Sequence, residues 1–223
     1  MLKRKKITSA KIAISEIFSS IQGESSYSGR YCFFIRLAGC NLRCSWCDSK
    51  HAFFPKYYLS VDEIVTKAKK SLAKIAEITG GEPLLNPHTP ELCRKLLNIG
   101  IDVLIETNGS IPIKNLPEKV KIIMDCKCPS SGEHKKMHFA NFAKISKNDE
   151  IKFVIASRKD YNYAKRIIRK YNLFKRTDKI FFSPVRKYMK YSDLASWMIK
   201  DKISTIFAVQ LHKIIWGNNV KGK

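Results

Sequence analysis

Short apolar runs alternate along this chain with stretches whose apolar positions recur at helical spacing. The runs predict strands at residues 14–18, 32–37, 75–78, 103–106, 121–125, 151–155, 180–182 and 205–209. Helices are predicted in several of the gaps. Ser60-Val61-Asp62-Glu63 reads as a capping box opening a helix that runs to about Leu72. Thr89-Pro90-Glu91 reads as an N-cap with proline at the first helical position, and Gly100 falls just past the far end. Residues 160–171 and 192–200 are also helical in pattern, while 130–147 read as a loop with a short helix. The alternation predicts βα units and a mainly parallel sheet. With no repeat, low-complexity segment or linker, residues 1–223 are expected to form one domain, with a core of about 14–217 and short basic ends.

Polar, glycine, proline or cysteine motifs follow five of these strands at once. They are the run after Leu37, Thr79-Gly80-Gly81-Glu82-Pro83, Glu106-Thr107-Asn108-Gly109, Asp125-Cys126-Lys127-Cys128-Pro129, and Ser183-Pro184-Val185. In a parallel β/α architecture the C-terminal strand ends share one face, and that face carries the active site. Any one motif could be turn chemistry alone. Five in succession point to a shared site.

The run after Leu37 carries the sharpest chemistry. Cys40, Cys44 and Cys47 form a C-x3-C-x2-C pattern, and no fourth cysteine follows before Cys93. Three thiolates on a [4Fe–4S] cluster leave one iron open to a further ligand. A zinc site recruiting His51 is an alternative, although its spacing is tighter than usual and no second ligand pair follows. Disulfides are not expected: the cysteines number seven and no secretory segment is evident.

Bulk composition changes this picture little. The chain is long enough to bury a full core, and no stretch approaches a membrane span. The basic start Met1-Leu2-Lys3-Arg4-Lys5-Lys6 resembles the head of a signal peptide. Lys11 and Glu16 break any apolar segment after it, so a cytoplasmic location is expected. The net charge of +23 favours anionic partners. Its lysines and arginines are spread along the chain without a nucleic-acid motif, so a solvated basic surface is expected and nucleic acid is not.

The C-x3-C-x2-C run resembles the cluster motif of the radical S-adenosylmethionine (SAM) enzymes, and Gly80-Gly81-Glu82-Pro83 resembles their GGEP element. Five further segments narrow the likeness: Ile21-Gln22-Gly23-Glu24-Ser25, Arg36, Cys47-Asp48-Ser49, Lys127-Cys128-Pro129-Ser130, and Gln210-Leu211-His212-Lys213. With them the chain is similar to the 7-carboxy-7-deazaguanine synthase family from about Glu16 to Gly217. The resemblance implies a truncated parallel β/α barrel, a homodimer, and a cluster, SAM and Mg2+ as cofactors. It also implies conversion of 6-carboxy-5,6,7,8-tetrahydropterin to 7-carboxy-7-deazaguanine with loss of ammonia, in queuosine-type deazapurine biosynthesis. An electron donor such as flavodoxin or ferredoxin would reduce the cluster.

Residue by residue, the resemblance gives Cys40, Cys44 and Cys47 to the cluster and Ser49 to Mg2+. Ile21, Gln22, Gly23, Arg36 and Thr79 fall to the pterin, with Arg36 on its carboxylate. Trp46, Asp48, Gly81, Asp125, Cys126, Lys127 and Ser183 fall to SAM. No acid–base pair stands out. Alternatives remain for single residues: Arg36 as an ordinary ion pair, Ser49 as a helix cap, Gln22-Gly23 as a turn. The chain also departs from the family, with Asp125-Cys126-Lys127 where Ser-Pro-Lys is common and Ser183-Pro184 for a frequent Gln-Pro. Cys126 and Cys128 could mark a second metal or be buried bystanders. Two other readings stand beside this one: another small radical SAM enzyme such as a glycyl-radical activase, and a basic zinc-bearing RNA-binding module.

Overall fold

A computed structural model describes residues 11–217. Nine strands form one sheet in the order β3-β1-β2-β4-β5-β6-β7-β8-β9. They are β1 (Lys11–Ile21), β2 (Tyr31–Leu37), β3 (Tyr57–Ser60), β4 (Ile75–Gly80), β5 (Asp102–Thr107), β6 (Lys121–Asp125), β7 (Glu150–Ile155), β8 (Ile180–Pro184) and β9 (Ile206–Phe207). From β2 through β9 every neighbouring pair is parallel. The outermost strands β3 and β9 each have one neighbour, so the barrel is partial and stays open.

The eight expected strands are all present, with two changes of extent. β1 is twice the expected length because it pairs antiparallel on both edges, with β2 and with β3, and a register shift near Ile14 and Glu16 bends it between them. β9 is reduced to two residues. β3, a four-residue strand rich in tyrosine, was not predicted; its side chains are half exposed, so it lacks an apolar run.

The helices are α1 (Val61–Lys70), α2 (Thr89–Asn98), α3 (Arg158–Lys170), α4 (Tyr191–Lys200) and α5 (Leu211–Trp216). The Ser60–Glu63 capping box is formed in full. Thr89 is not the cap expected of it: the N-cap is His88, Thr89 is the first residue of α2, and the Thr89 hydroxyl donates to the Pro83 carbonyl at 2.6 Å. Ser157 caps α3 by accepting from the Asp160 N–H. Residues 129–144 hold three short 3-10 helices where one short helix was expected.

Alternation along the parallel strands sorts side chains onto two faces. Ile35, Ile78, Val103, Ile105, Ile122, Ile151, Phe153 and Phe182 enter the core beneath the helices. The opposite face is layered. Cys32, Phe34, Ile75, Leu104 and Ile123 make an apolar plug in the first half of the strands, against which Phe18 and Tyr27 pack. Two residues further along each strand the same face turns polar: Arg36, Glu77, Glu106 and Asp125, joined by Thr79 and Lys152.

Candidate active site

The polar layer is the floor of a cleft of about 780 Å³ at the C-terminal ends of the parallel strands. Residues from β2, β4, β5, β6, β7 and β8 and from the segments after β1 and β9 line it. All five motifs that follow strands send residues to its wall.

The cysteine loop forms one rim. Cys40, Cys44 and Cys47 are half-buried and line the cleft. Each neighbouring loop holds this one in place. Gly39 N–H donates to the Ala52 carbonyl at 2.8 Å, and Glu82 N–H donates to the Gly39 carbonyl at 2.8 Å. Arg43 N–H donates to Glu133 at 2.7 Å, and Ser45 N–H to the Ser131 carbonyl at 3.1 Å. Burial pushes the Cys44 thiol up to about 11. Among the described residues no three His, Cys, Asp or Glu side chains gather tightly enough to hold a single metal ion. A four-iron cluster spreads its thiolates over separate irons, so its ligands need not converge on one point. The His51 ring, which the zinc alternative would recruit, is engaged with Glu16 instead, its Nε2 3.1 Å from the carboxylate.

The glycines of the Gly80-Gly81-Glu82-Pro83 loop serve close approach of backbone to backbone. A Cβ on Gly80 would lie 2.1 Å from the Leu37 carbonyl oxygen, and one on Gly81 2.0 Å from that of Gly39. This loop therefore presses directly against the cysteine loop. Buried Glu82 ties it onward, accepting from Leu84 N–H, the Thr107 hydroxyl and Asn108 N–H. Burial pushes the Glu82 carboxyl up despite these donors.

Of the residues assigned by resemblance, all but one line the cleft. The exception is Cys126. Its side chain is fully buried in the core behind the sheet, with Cys128 beside it, and its N–H donates to the Lys152 carbonyl. Strand parity explains the correction: Asp125 faces the cleft, so Cys126 faces away. The two thiols are core residues, and burial pushes both up.

Arg36 already has a carboxylate partner. Its Nε donates to Glu16 at 2.7 Å, and among the described residues this is the one hydrogen bond from the guanidinium. The Ser49 hydroxyl donates to Asp48 at 3.1 Å, and the other oxygen of Asp48 meets Lys213 at 2.9 Å. Asp125 pairs through Oδ2 with Lys127 at 2.8 Å, while its Oδ1 is buried without a hydrogen-bond partner. Trp46 tilts against Tyr188 with ring centroids 6.2 Å apart.

Sequence reasoning missed the charge network on the floor. Lys152 Nζ sits between Glu24, at 2.8 Å, and Glu106. Thr79 donates to Glu106 at 3.2 Å, Gln22 donates to Glu77, and Gln210 donates to Glu24 at 2.7 Å. Burial alone would raise Glu24, but the Lys152 charge and the donors on it hold the carboxyl down at about 2. Burial pushes Glu77 well above the usual carboxylate range, and the charges of Glu106 and Glu24 push the same way. One signal was available: Glu77 and Lys152 are polar interruptions of apolar strands at the parity of the cleft-facing residues.

The segment after β9 closes one side. Leu211 N–H donates to the Gly23 carbonyl at 2.8 Å, and a Cβ on Gly23 would lie 2.2 Å from the His212 ring.

Known proteins agree with this geometry. Residues 34–172 match the Radical SAM superfamily. The 7-carboxy-7-deazaguanine synthase of Koribacter versatilis is 40% identical, across 94% of this chain and 99% of that protein. The enzyme of that name from Chlorobaculum tepidum is 39% identical, across 96% and 99%. The crystal structure of QueE from Escherichia coli shares the fold, with a TM-score of 0.70 at 20% identity over 91% of this chain and 95% of that one. The zinc-bearing RNA-binding alternative falls away. The chain belongs to the radical SAM superfamily and, within it, to the 7-carboxy-7-deazaguanine synthase family.

Proposed function

We propose that this chain converts 6-carboxy-5,6,7,8-tetrahydropterin to 7-carboxy-7-deazaguanine, releasing ammonia, on a queuosine-type deazapurine route. The observation that carries the reading is the joint lining of one cleft by three thiols on its rim and a floor of buried acceptors with Arg36 beside them. A pterin has a carboxylate at one end and a row of N–H groups at the other, and such a cleft offers a partner to each.

The residues fit the cofactors of the family. Cys40, Cys44 and Cys47 would hold the [4Fe–4S] cluster, an all-thiolate donor set on one loop. The unpartnered Oδ1 of Asp125 is a buried acceptor awaiting a hydroxyl or amine, as SAM would supply. Trp46, Asp48, Gly81, Lys127 and Ser183 line the same cleft. Ser49 adds an oxygen donor, the type that Mg2+ takes, next to the Asp48 carboxylate. When bound, the cluster and SAM supply one-electron, hydrogen-abstracting chemistry.

The chain's own part is positioning. Ile21, Gln22, Gly23 and Thr79 would hold the pterin. Arg36, oriented through Nε by Glu16, would take the substrate carboxylate on its terminal nitrogens. An acidic one-electron donor such as flavodoxin or ferredoxin, a homodimer and a cytoplasmic location complete the proposal. No described helix is long and apolar enough to cross a membrane. The test is anaerobic reconstitution followed by assay with SAM, Mg2+, reductant and the carboxytetrahydropterin. Product with the mass of 7-carboxy-7-deazaguanine is expected. A loaded enzyme that cleaves SAM and leaves the pterin unchanged would overturn the assignment.

A further inference from the structure

Lys152 is the cation at the centre of the cleft floor, its side chain only 10% exposed. Charged groups surround it from every neighbouring element. Glu24 follows β1, Arg36 lies on β2, Glu77 on β4, Glu106 on β5, and Asp125 with Lys127 at the end of β6. Glu150 shares its own strand, and Asp48 and His212 approach from the rim. Among the described residues, only Glu24 and Glu106 make ion pairs with it. Without an ammonium between them, Glu24, Glu106 and Glu77 would form a cluster of three carboxyls on the cleft floor, Glu77 buried and the other two partly so. Like charges so placed cannot all ionise. One or more would take up a proton, and an acceptor would become a donor.

We infer that Lys152 is a positioning residue of the substrate site: by bridging Glu24 and Glu106 it keeps both as hydrogen-bond acceptors toward an N–H-rich heterocycle edge. This rests on the proposal that the cleft is the pterin site. The floor needs this device because a ligand edge made of N–H groups is repelled by a donor and bound by an acceptor. The bridging position also fixes where the carboxylates sit, since Lys152 spans segments 82 residues apart in sequence, Glu24 and Glu106. Thr79 and Gln210 complete the arrangement by donating to the same two carboxylates.

The experiment compares reconstituted wild type with Lys152→Met, Lys152→Arg and the double variant Lys152→Met with Glu106→Gln. Wild-type binding of 6-carboxy-5,6,7,8-tetrahydropterin, measured first, tests the substrate assignment separately. Lys152→Met is expected to lose about ten- to a hundredfold in pterin affinity at pH 7. It should regain part of that loss between pH 7 and 9 as the carboxyls ionise, with SAM affinity and iron content unchanged. Lys152→Arg should keep most of the affinity. Infrared spectra, which need no pterin, should show an added protonated-carboxyl band in Lys152→Met at pH 7. The double variant, which removes a charge of each sign, guards against a misfolded single variant; it should fold and still bind weakly. Wild-type affinity in either variant lacking the lysine would overturn the inference. So would a loss in Lys152→Met that is the same at every pH, or infrared spectra identical to wild type.

Discussion

The rim and the floor of the cleft are built in opposite ways. On the rim, the cysteine loop is contiguous in sequence and held mainly by backbone hydrogen bonds from its neighbours. On the floor, Glu24, Glu77, Glu106 and Lys152 come from four separate segments; Lys152 holds Glu24 and Glu106 by charge, and Gln22 holds Glu77 by a hydrogen bond. A rim of this kind survives loss of a side chain as structure but loses its ligand. A floor of this kind couples its members, so changing one changes the protonation of the rest.

Serine at Cys40, Cys44 or Cys47 therefore tests the rim at its largest expected effect. Each variant should fold as wild type does by thermal unfolding yet fail to retain iron and sulfide and fail to cleave SAM. Wild-type protein should approach four irons and four sulfides per chain after anaerobic reconstitution. Stoichiometric zinc without sulfide in anaerobically purified protein would remove the basis of the comparison.

Arg36 belongs to the floor but stands outside the Lys152 network, its guanidinium partly buried and paired with Glu16. In the proposed site the substrate carboxylate is a second partner, and truncating one partner of a buried, hydrogen-bonded charge pair costs about 2–5 kcal/mol. For Arg36→Ala that is on the order of 30- to several-thousand-fold in pterin binding, with cluster and SAM binding kept. Lysine should rescue only in part, because a point charge cannot bind bidentately. An unchanged Michaelis constant in Arg36→Ala would mean that the pair with Glu16 is its whole role.

The sequence-based expectations reached the rim and part of the floor but missed the charge network around Lys152, for a physical reason. Three cysteines within eight residues carry their meaning locally, and so do a capping box and a strand of apolar residues. The mainly parallel sheet was equally legible, since apolar runs and helical spacing alternate through most of the chain, while the partial barrel was implied by the family resemblance. Lys152 and Glu106 become partners only when β7 and β5 are placed around β6, which no local pattern encodes. Parity was the unused clue. It would have removed Cys126 from the cleft wall, since Asp125 faces the cleft, and would have put Glu77 and Lys152 on the floor. β3 was invisible because a half-exposed edge strand has no apolar run to detect. The Gly80-Gly81 pair was found as a motif, but the packing of Gly81 against Gly39 of the cysteine loop shows only once the two loops are placed side by side.

That contact gives the next test. In Gly81→Ala the new Cβ meets the Gly39 carbonyl at 2.0 Å, and backbone must shift to relieve it. Overpacking of this kind costs about 1–3 kcal/mol. Thermal unfolding should fall accordingly, and iron should leave the reconstituted variant faster than wild type under a chelator. A variant that loses stability but holds its cluster normally would show that the two loops are joined without being coupled.

The smallest expected effect belongs to the floor, in Glu77→Gln. Burial holds the Glu77 carboxyl well above its ordinary range, with the Glu106 and Glu24 charges adding to it, so the folded protein keeps a proton there that the unfolded chain releases. Where the folded state binds more protons, stability falls as pH rises. The contribution is fully present below the ordinary carboxylate range and is lost as pH climbs toward the raised folded value. Glutamine imitates the protonated acid in shape and still accepts the hydrogen bond from Gln22. Glu77→Gln should therefore unfold near the wild-type temperature in acid, below the ordinary carboxylate range, and its advantage over wild type should widen as pH is raised from there. Thermal unfolding of both proteins across a pH series measures the difference directly. If the two curves stay parallel from acid to alkaline pH, Glu77 is ionised in the folded protein, and the floor carries one more negative charge than Lys152 and its two partners account for.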